Sequence, residues 1–133
     1  MDLVTAFKAL SNPIRLKILD GLQDPARHFP PQDEGDVEVD GVCVGSIQEG
    51  IGLSQSSTSD YLGLLHKAGL VTVKRRGQWT YYKRDEAGIQ RLAEMIRTTV
   101  RFELLENGSA RGLRGKVVID VADKAAATRR PAA

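Results

Sequence analysis

Apolar residues recur at helical spacing over most of the chain and alternate over one short stretch. Leu3, Phe7 and Leu10 share one face of a first helix. Ser11-Asn12-Pro13 then breaks and restarts the chain: Asn12 suits the N-cap of a second helix, and Pro13 suits its first turn. Ile14, Ile18 and Leu22 follow at i, i+4 and i+8, with Leu16 and Leu19 beside them, which predicts a well-buried helix. From Gln23 to Val42 the periodicity is lost. Pro25, Pro30 and Pro31 fall here, and the segment reads as a long loop with short extended pairs near Val37 and Val39. Ser46 is placed to cap a short helix carrying Ile47 and Ile51, which Gly52 ends. Ser54 caps the next helix, from which Leu62 and Leu65 face the core. Gly69 suits a left-handed position after that helix, with Leu70 packing back on Leu65.

The pattern then switches period. Val71 and Val73 alternate with Thr72 and Lys74, Trp79 and Tyr81 alternate with Thr80 and Tyr82, and Gly77 sits between the runs, which predicts a β-hairpin. Asp85 caps a final long helix with an apolar stripe of Ile89, Leu92, Ala93, Ile96, Val100 and Leu104, ended by Asn107-Gly108. Two helices joined near Gly52-Leu53 and followed by a hairpin make a winged helix-turn-helix. The expected fold is therefore mainly α with a β-hairpin wing, in one domain over residues 1–108 that includes a loop over 23–42. Residues 109–133 read as a basic tail without fixed structure apart from the run Val117-Val118-Ile119.

Charge changes this picture locally. The net charge of +2 hides an acidic stretch of Asp24, Asp33, Glu34, Asp36, Glu38 and Asp40 opposed by Arg27 alone. The tail carries Arg111, Arg114, Lys116, Lys124, Arg129 and Arg130 against Asp120 and Asp123. Local fields of this kind govern attraction to phosphate, so the acidic loop is expected to point away from a nucleic acid. A single cysteine, Cys43, rules out an intrachain disulfide. No long apolar stretch appears, which points to a cytoplasmic protein that does not enter a membrane.

The helix after Leu53 carries the chemistry. Its N-terminal half offers Ser54, Gln55, Ser56, Ser57, Thr58, Ser59 and Tyr61. In a recognition helix this half meets base edges in the major groove, where a glutamine bonds adenine bidentately and hydroxyls reach phosphate or base edges. Lys74, Arg75, Arg76 and Gln78 at the wing add phosphate attraction or minor-groove insertion. These residues form the candidate DNA-binding set, with double-stranded DNA as partner. Asp60 runs against it: a carboxylate on the exposed side repels phosphate unless it takes a bond from cytosine or pairs with Lys67 or an arginine.

Ala9-Leu10-Ser11-Asn12-Pro13-Ile14-Arg15-Leu16-Lys17-Ile18-Leu19 resembles the A-L-x-x-P-x-R-L-x-I-L opening of the ArsR/SmtB family of bacterial transcriptional regulators. Gly52 to Val71 resembles the family's G-L-S-Q-S-T-V-S-x-H-L-x-x-L-x-x-A-G-L-V block, and Arg75 to Tyr82 resembles its wing, R-R-x-G-R-x-x-Y-Y, with small shifts. The likeness covers roughly residues 3 to 105. It implies a homodimer built on the first and last helices, each protomer reading half of an inverted repeat, and a repressor released by an inducer. The dimer interface so implied comprises Leu3, Phe7, Leu10, Ile89, Leu92, Ile96, Val100 and Leu104; packing within one subunit is the other use of that stripe.

The departures bear on the effector. Where metal-sensing members carry E-L-C-V-C-D-L, this chain has Val42-Cys43-Val44-Gly45-Ser46-Ile47, so Gly45 stands at the second thiolate position. No histidine follows Asp85. Soft metals take two or more thiolates or imidazoles, so neither usual metal site is expected and no cofactor is called for. Cys43 reads as a redox sensor or as a small buried hydrophobe. His28 sits in a solvated acidic loop, and His66 near the DNA side or in solvent. No phosphate-binding glycine loop, activated nucleophile or metal cluster points to an enzyme. Two functions remain: a DNA-binding regulator with an unknown effector, and a winged-helix protein-interaction module that has lost specific DNA binding.

Overall fold

The computed structural model describes residues 1–100, 103–104, 109–111 and 118–120. The chain forms two compact units, Met1–Leu92 and Ala93–Ala133. In the first unit, helix α1 (Leu3–Leu10) is capped by Asp2, whose carboxylate accepts from the Thr5 N–H and hydroxyl. Helix α2 (Pro13–Gly21) starts as its sequence requires, with Asn12 Oδ1 accepting from Ile14 N–H at 2.9 Å and Arg15 N–H at 3.1 Å. Arg15 reaches back to the carbonyls at the end of α1, donating to Ala9 O and to Lys8 O, which also accepts from Ser11. Its guanidinium also lies 5.1 Å from the centre of the Tyr61 ring. One side chain thus ties α1 and α2 to the recognition helix.

The segment 23–42 is more ordered than its lack of periodicity suggests. It contains helix α3 (Pro25–His28) and the buried Phe29. The extended pairs expected near Val37 and Val39 are instead a turn. Asp36 Oδ1 accepts from the N–H groups of Glu38 and Val39, a local bonding pattern that competes with strand. Strand β1 (Val42–Cys43) was not expected, being too short for alternation to reveal. Helix α4 (Val44–Ile51) begins directly after it, with Cys43 in the N-cap position. Ser46 is therefore not a cap: it lies inside α4, buried, and its hydroxyl donates to the Pro30 carbonyl.

Gly52, at φ 72, turns the chain from α4 into helix α5 (Gln55–Lys67). Ser54 caps α5 by accepting from Ser57 N–H at 3.1 Å. The far end is a Schellman stop: Gly69 sits at φ 79, its N–H donates to His66 O, and Leu70 N–H donates to Leu65 O at 3.0 Å. Strands β2 (Val71–Arg76) and β3 (Trp79–Arg84) form the wing, and the antiparallel sheet runs β1-β3-β2. Ile18, Ile47, Leu62, Leu65, Leu70, Val71 and Tyr81 are fully buried and form the core.

Helix α6 (Glu86–Val100) is capped by Asp85, whose Oδ1 accepts from Gly88 N–H. Leu104, expected on the stripe of this helix, belongs instead to strand β4 (Glu103–Leu104). Strand β4 pairs with β5 (Ser109–Arg111), and β5 with β6 (Val118–Asp120), in the second unit's antiparallel sheet. Short strands therefore occur in the tail read as lacking fixed structure; the rest of 109–133 lies outside the described residues. Among the expected interface residues, Phe7 is 47% exposed, Leu3, Leu10, Ile89 and Ile96 are half-buried, and Leu92 is buried. The side chains of Val100 and Leu104 lie outside the described residues.

Candidate nucleic-acid interface

The cap at Ser54 and the Gly52 turn aim the first turns of α5 outward. Gln55, Ser56 and Ser59 are exposed there, and Ser57 is half-buried. Thr58 does not join them: it is fully buried, and its hydroxyl donates to Ser54 O at 2.8 Å. Its position four residues before Leu62 and seven before Leu65 puts it on the core face. Tyr61 is half-buried beneath the Arg15 guanidinium. Asp60 is exposed and makes no ion pair among the described residues.

Gln55 and Ser59, one helical turn apart, line an open groove of about 450 Å³ together with Arg75 and Gln78 of the wing. Four members of the expected DNA-binding set thus converge on one surface. The groove also takes in Gln48 of α4 and Thr80 and Tyr82 of β3, which the sequence reading missed. The hairpin register could have found two of them. Arg75 pairs with Thr80, Val73 with Tyr82, and directly paired residues share a sheet face. Tyr82 is half-buried, which pushes its phenol above the usual tyrosine range and keeps it a neutral hydrogen-bonding group. Gly77 in the wing turn sits at φ 59, as tight hairpin turns demand. The arrangement presents amide, hydroxyl and guanidinium donors on a concave strip and suits an anionic, hydrogen-bonding ligand.

Lys74 and Arg76 do not line this groove. Both meet Asp40 Oδ1, Lys74 Nζ at 2.6 Å and Arg76 Nη1 at 3.1 Å. The acidic segment therefore reaches the wing, although it does not line the groove. The hydrogen bond from Lys74 and that from Asp36 N–H hold the Asp40 carboxyl down at about 2, and the nearby Arg76 charge adds to this. A carboxyl with a depressed folded pKa contributes stability that is full above its unfolded value, near 4, and is lost as pH falls toward 2. Urea midpoints of the wild-type chain should fall between about pH 4 and pH 2, and the fall should be shallower in Asp40→Asn. Equal slopes in the two chains would show that Asp40 is not ion-paired in solution.

Cys43 is buried in β1, with its N–H bonded to Gln32 Oε1 at 2.8 Å, which favours its reading as a small hydrophobe. His66 is exposed. Among the described residues, no group of three or more His, Cys, Asp or Glu side chains is placed to hold a metal ion, and no helix is long and apolar enough to cross a membrane.

Comparison with known proteins places the fold. No protein-family model matches the chain. It is 45% identical over 100 residues to YbzH of Bacillus subtilis (strain 168), described as an uncharacterized HTH-type transcriptional regulator; the match spans 75% of this chain and all of that protein. A putative arsenical resistance operon repressor, ArsR2 of Halobacterium salinarum, is 47% identical over 47 residues, 35% of this chain and 40% of that protein. Among solved structures, a possible transcriptional regulatory protein from Mycobacterium bovis (fragment 1–100) superposes with a TM-score of 0.50 at 28% identity, covering 74% of this chain and 89% of that one. Those relatives are regulators and not enzymes, as the residues here also suggested. With its recognition helix, its wing and its likeness to YbzH over that protein's whole length, the chain belongs to the ArsR family of winged helix-turn-helix, DNA-binding transcriptional regulators.

Proposed function

We propose that the protein is a homodimeric repressor that binds an inverted-repeat operator in double-stranded DNA and leaves it when a non-metal effector binds. The observation that carries this reading is the convergence of Gln55 and Ser59 from α5 with Arg75 and Gln78 from the wing on one groove. Gln55 reads a base edge, Ser54, Ser56, Ser57 and Ser59 reach phosphate or base edges, and Arg75 and Gln78 contact the flanking backbone. Residues 1–108 serve DNA binding and dimerisation, and residues 109–133 form an accessory basic tail.

Dimerisation rests on exposed apolar side chains on α1, where Val4 is 58% and Phe7 47% exposed, and on the stripe of Ile89, Leu92 and Ile96 on α6. A two-fold protein matches a two-fold operator. Gly45 in place of a second thiolate supports a non-metal effector, which must favour the dimer arrangement that does not fit DNA. Asp60, exposed and without an ion pair among the described residues, favours the second reading, a protein-interaction module.

Sedimentation of the 14.5 kDa chain with duplex DNA tests the dimer. Two chains per duplex are expected. Phe7→Glu should give a folded monomer whose apparent affinity for DNA drops on the order of 100-fold, because the second half-site contact is no longer tethered. A wild-type chain that binds as a monomer would refute the dimer.

A further inference from the structure

Strand alternation divides the wing's consecutive cations between two faces. Arg75 pairs with Thr80 and lines the groove, whereas Lys74, paired with Tyr81, and Arg76 turn to the opposite face, where both meet Asp40; Trp79, the partner of Arg76 at the hairpin tip, reaches the groove. On that opposite face the acidic segment folds against the sheet. Lys83 Nζ donates to Glu38 O, and Asp40 Oδ1 meets both Lys74 Nζ and Arg76 Nη1. The Asp40 side chain is only 6% exposed, while Lys74 and Arg76 are 48% and 59% exposed. Its second oxygen accepts from Asp36 N–H at 2.9 Å, and its own N–H donates to Asp36 O at 2.7 Å. Gln32 fastens the same segment to β1 by donating to Gly41 O and accepting from Cys43 N–H. The carboxylate is therefore fixed by backbone and presented to two cations as a phosphate oxygen would be.

We propose that Asp40 is a positioning residue for DNA binding: an internal anion that holds Lys74 and Arg76 on the face of the wing away from the groove, leaving Arg75 as the wing cation that neutralises phosphate. This rests on the DNA-binding reading of the groove. Because the carboxylate is tethered, it outcompetes a phosphate for the same two cations at ordinary salt. The segment 23–42 thereby sets how much charge the wing brings to the duplex and how steeply binding depends on salt.

The test is the slope of log K against log salt for the full chain on a mixed-sequence duplex of about 30 base pairs, where each neutralised phosphate contributes about −0.9. Arg75→Ala should flatten the slope by about 0.9 per chain. The double variant Lys74→Ala, Arg76→Ala should leave it unchanged. Asp40→Asn should steepen it by up to about 1.8 per chain, since two cations are returned to the duplex. In the Lys74→Ala, Arg76→Ala background, Asp40→Asn should no longer steepen it. A merely structural role for Asp40 would weaken binding without steepening the slope.

The proposal is overturned if the Lys74, Arg76 double variant flattens the slope as Arg75→Ala does, or if folded Asp40→Asn keeps the wild-type slope. Should Asp40→Asn not fold, a folded Asp40→Ser takes its place against the same expected slopes. Wild-type chain without salt-dependent binding would remove the reading of the groove and this proposal together. An Arg75→Ala effect matched by the double variant would remove only the role of Asp40.

Discussion

Gly88→Ala should cost the fold about 3 kcal/mol or more, although alanine is by itself the better helix former by about 1 kcal/mol. Gly88 lies in the first turn of α6, where a Cβ would sit 1.9 Å from the Gly69 carbonyl oxygen and 3.1 Å from its carbon. Both atoms are backbone and have no rotamer to change. The Gly69 carbonyl cannot swing aside cheaply, because Gly69 holds φ 79 in the Schellman stop and Leu70 N–H is bonded to Leu65 O. Nor can the start of α6 slide freely, since Asp85 N–H donates to Leu70 O and Asp85 Oδ1 caps Gly88. The substitution must therefore separate α6 from the junction of recognition helix and wing. Urea denaturation measures it: a lowered midpoint with an unchanged m-value is expected. A gain in stability, as propensity alone would give, would show that this junction is looser than described.

Gln55→Ala should change which DNA is bound more than how much. Gln55 is the first residue of α5, exposed, and lines the groove with Ser59 a turn later and Arg75 across from it. A glutamine there makes a bidentate bond to one base worth about 1–3 kcal/mol of discrimination, or roughly 5- to 150-fold between the right and wrong base. Removing it should flatten preference at one position of each half-site. It should leave the salt slope alone, because an uncharged side chain releases no counterion. Competition among duplexes differing at single positions reads the effect. Uniform weakening across all of them would make Gln55 a backbone contact, and unchanged preference would remove it from the readout.

The parts of this molecule that local chemistry determines were legible in the sequence. Asn12-Pro13 starts α2, Ser54 caps α5, and Gly69-Leu70 stops it, because each needs only the residues within one turn. The wing followed from its alternation and from Gly77. Thr58 was legible too, since its spacing to Leu62 and Leu65 already put it on the core face, and the hydroxyl-rich run around it obscured this. Other features have no local signature. β1 is two residues long and is defined by its pairing with Tyr81 and Tyr82. Leu104 continues the apolar stripe of α6 at helical spacing, yet it pairs with Ala110 in strand β4. The ion pair of Asp40 with Lys74 joins residues 34 apart in sequence, and it alters the role of the wing. Three adjacent cations look alike in sequence, and only the strand register and the folded acidic segment separate Arg75 from its neighbours.

The roles given to that separation and to the groove both depend on duplex DNA being the ligand. The most direct measurement is selection of bound duplexes from random DNA by the wild-type chain, followed by salt titration of the enriched sequence. The expected product is an inverted repeat whose half-site centres lie about 34 Å apart, bound with a steep negative salt slope. No enrichment, with weak binding to every sequence alike, would contradict the account and turn the groove and the acidic segment into surfaces for a protein partner.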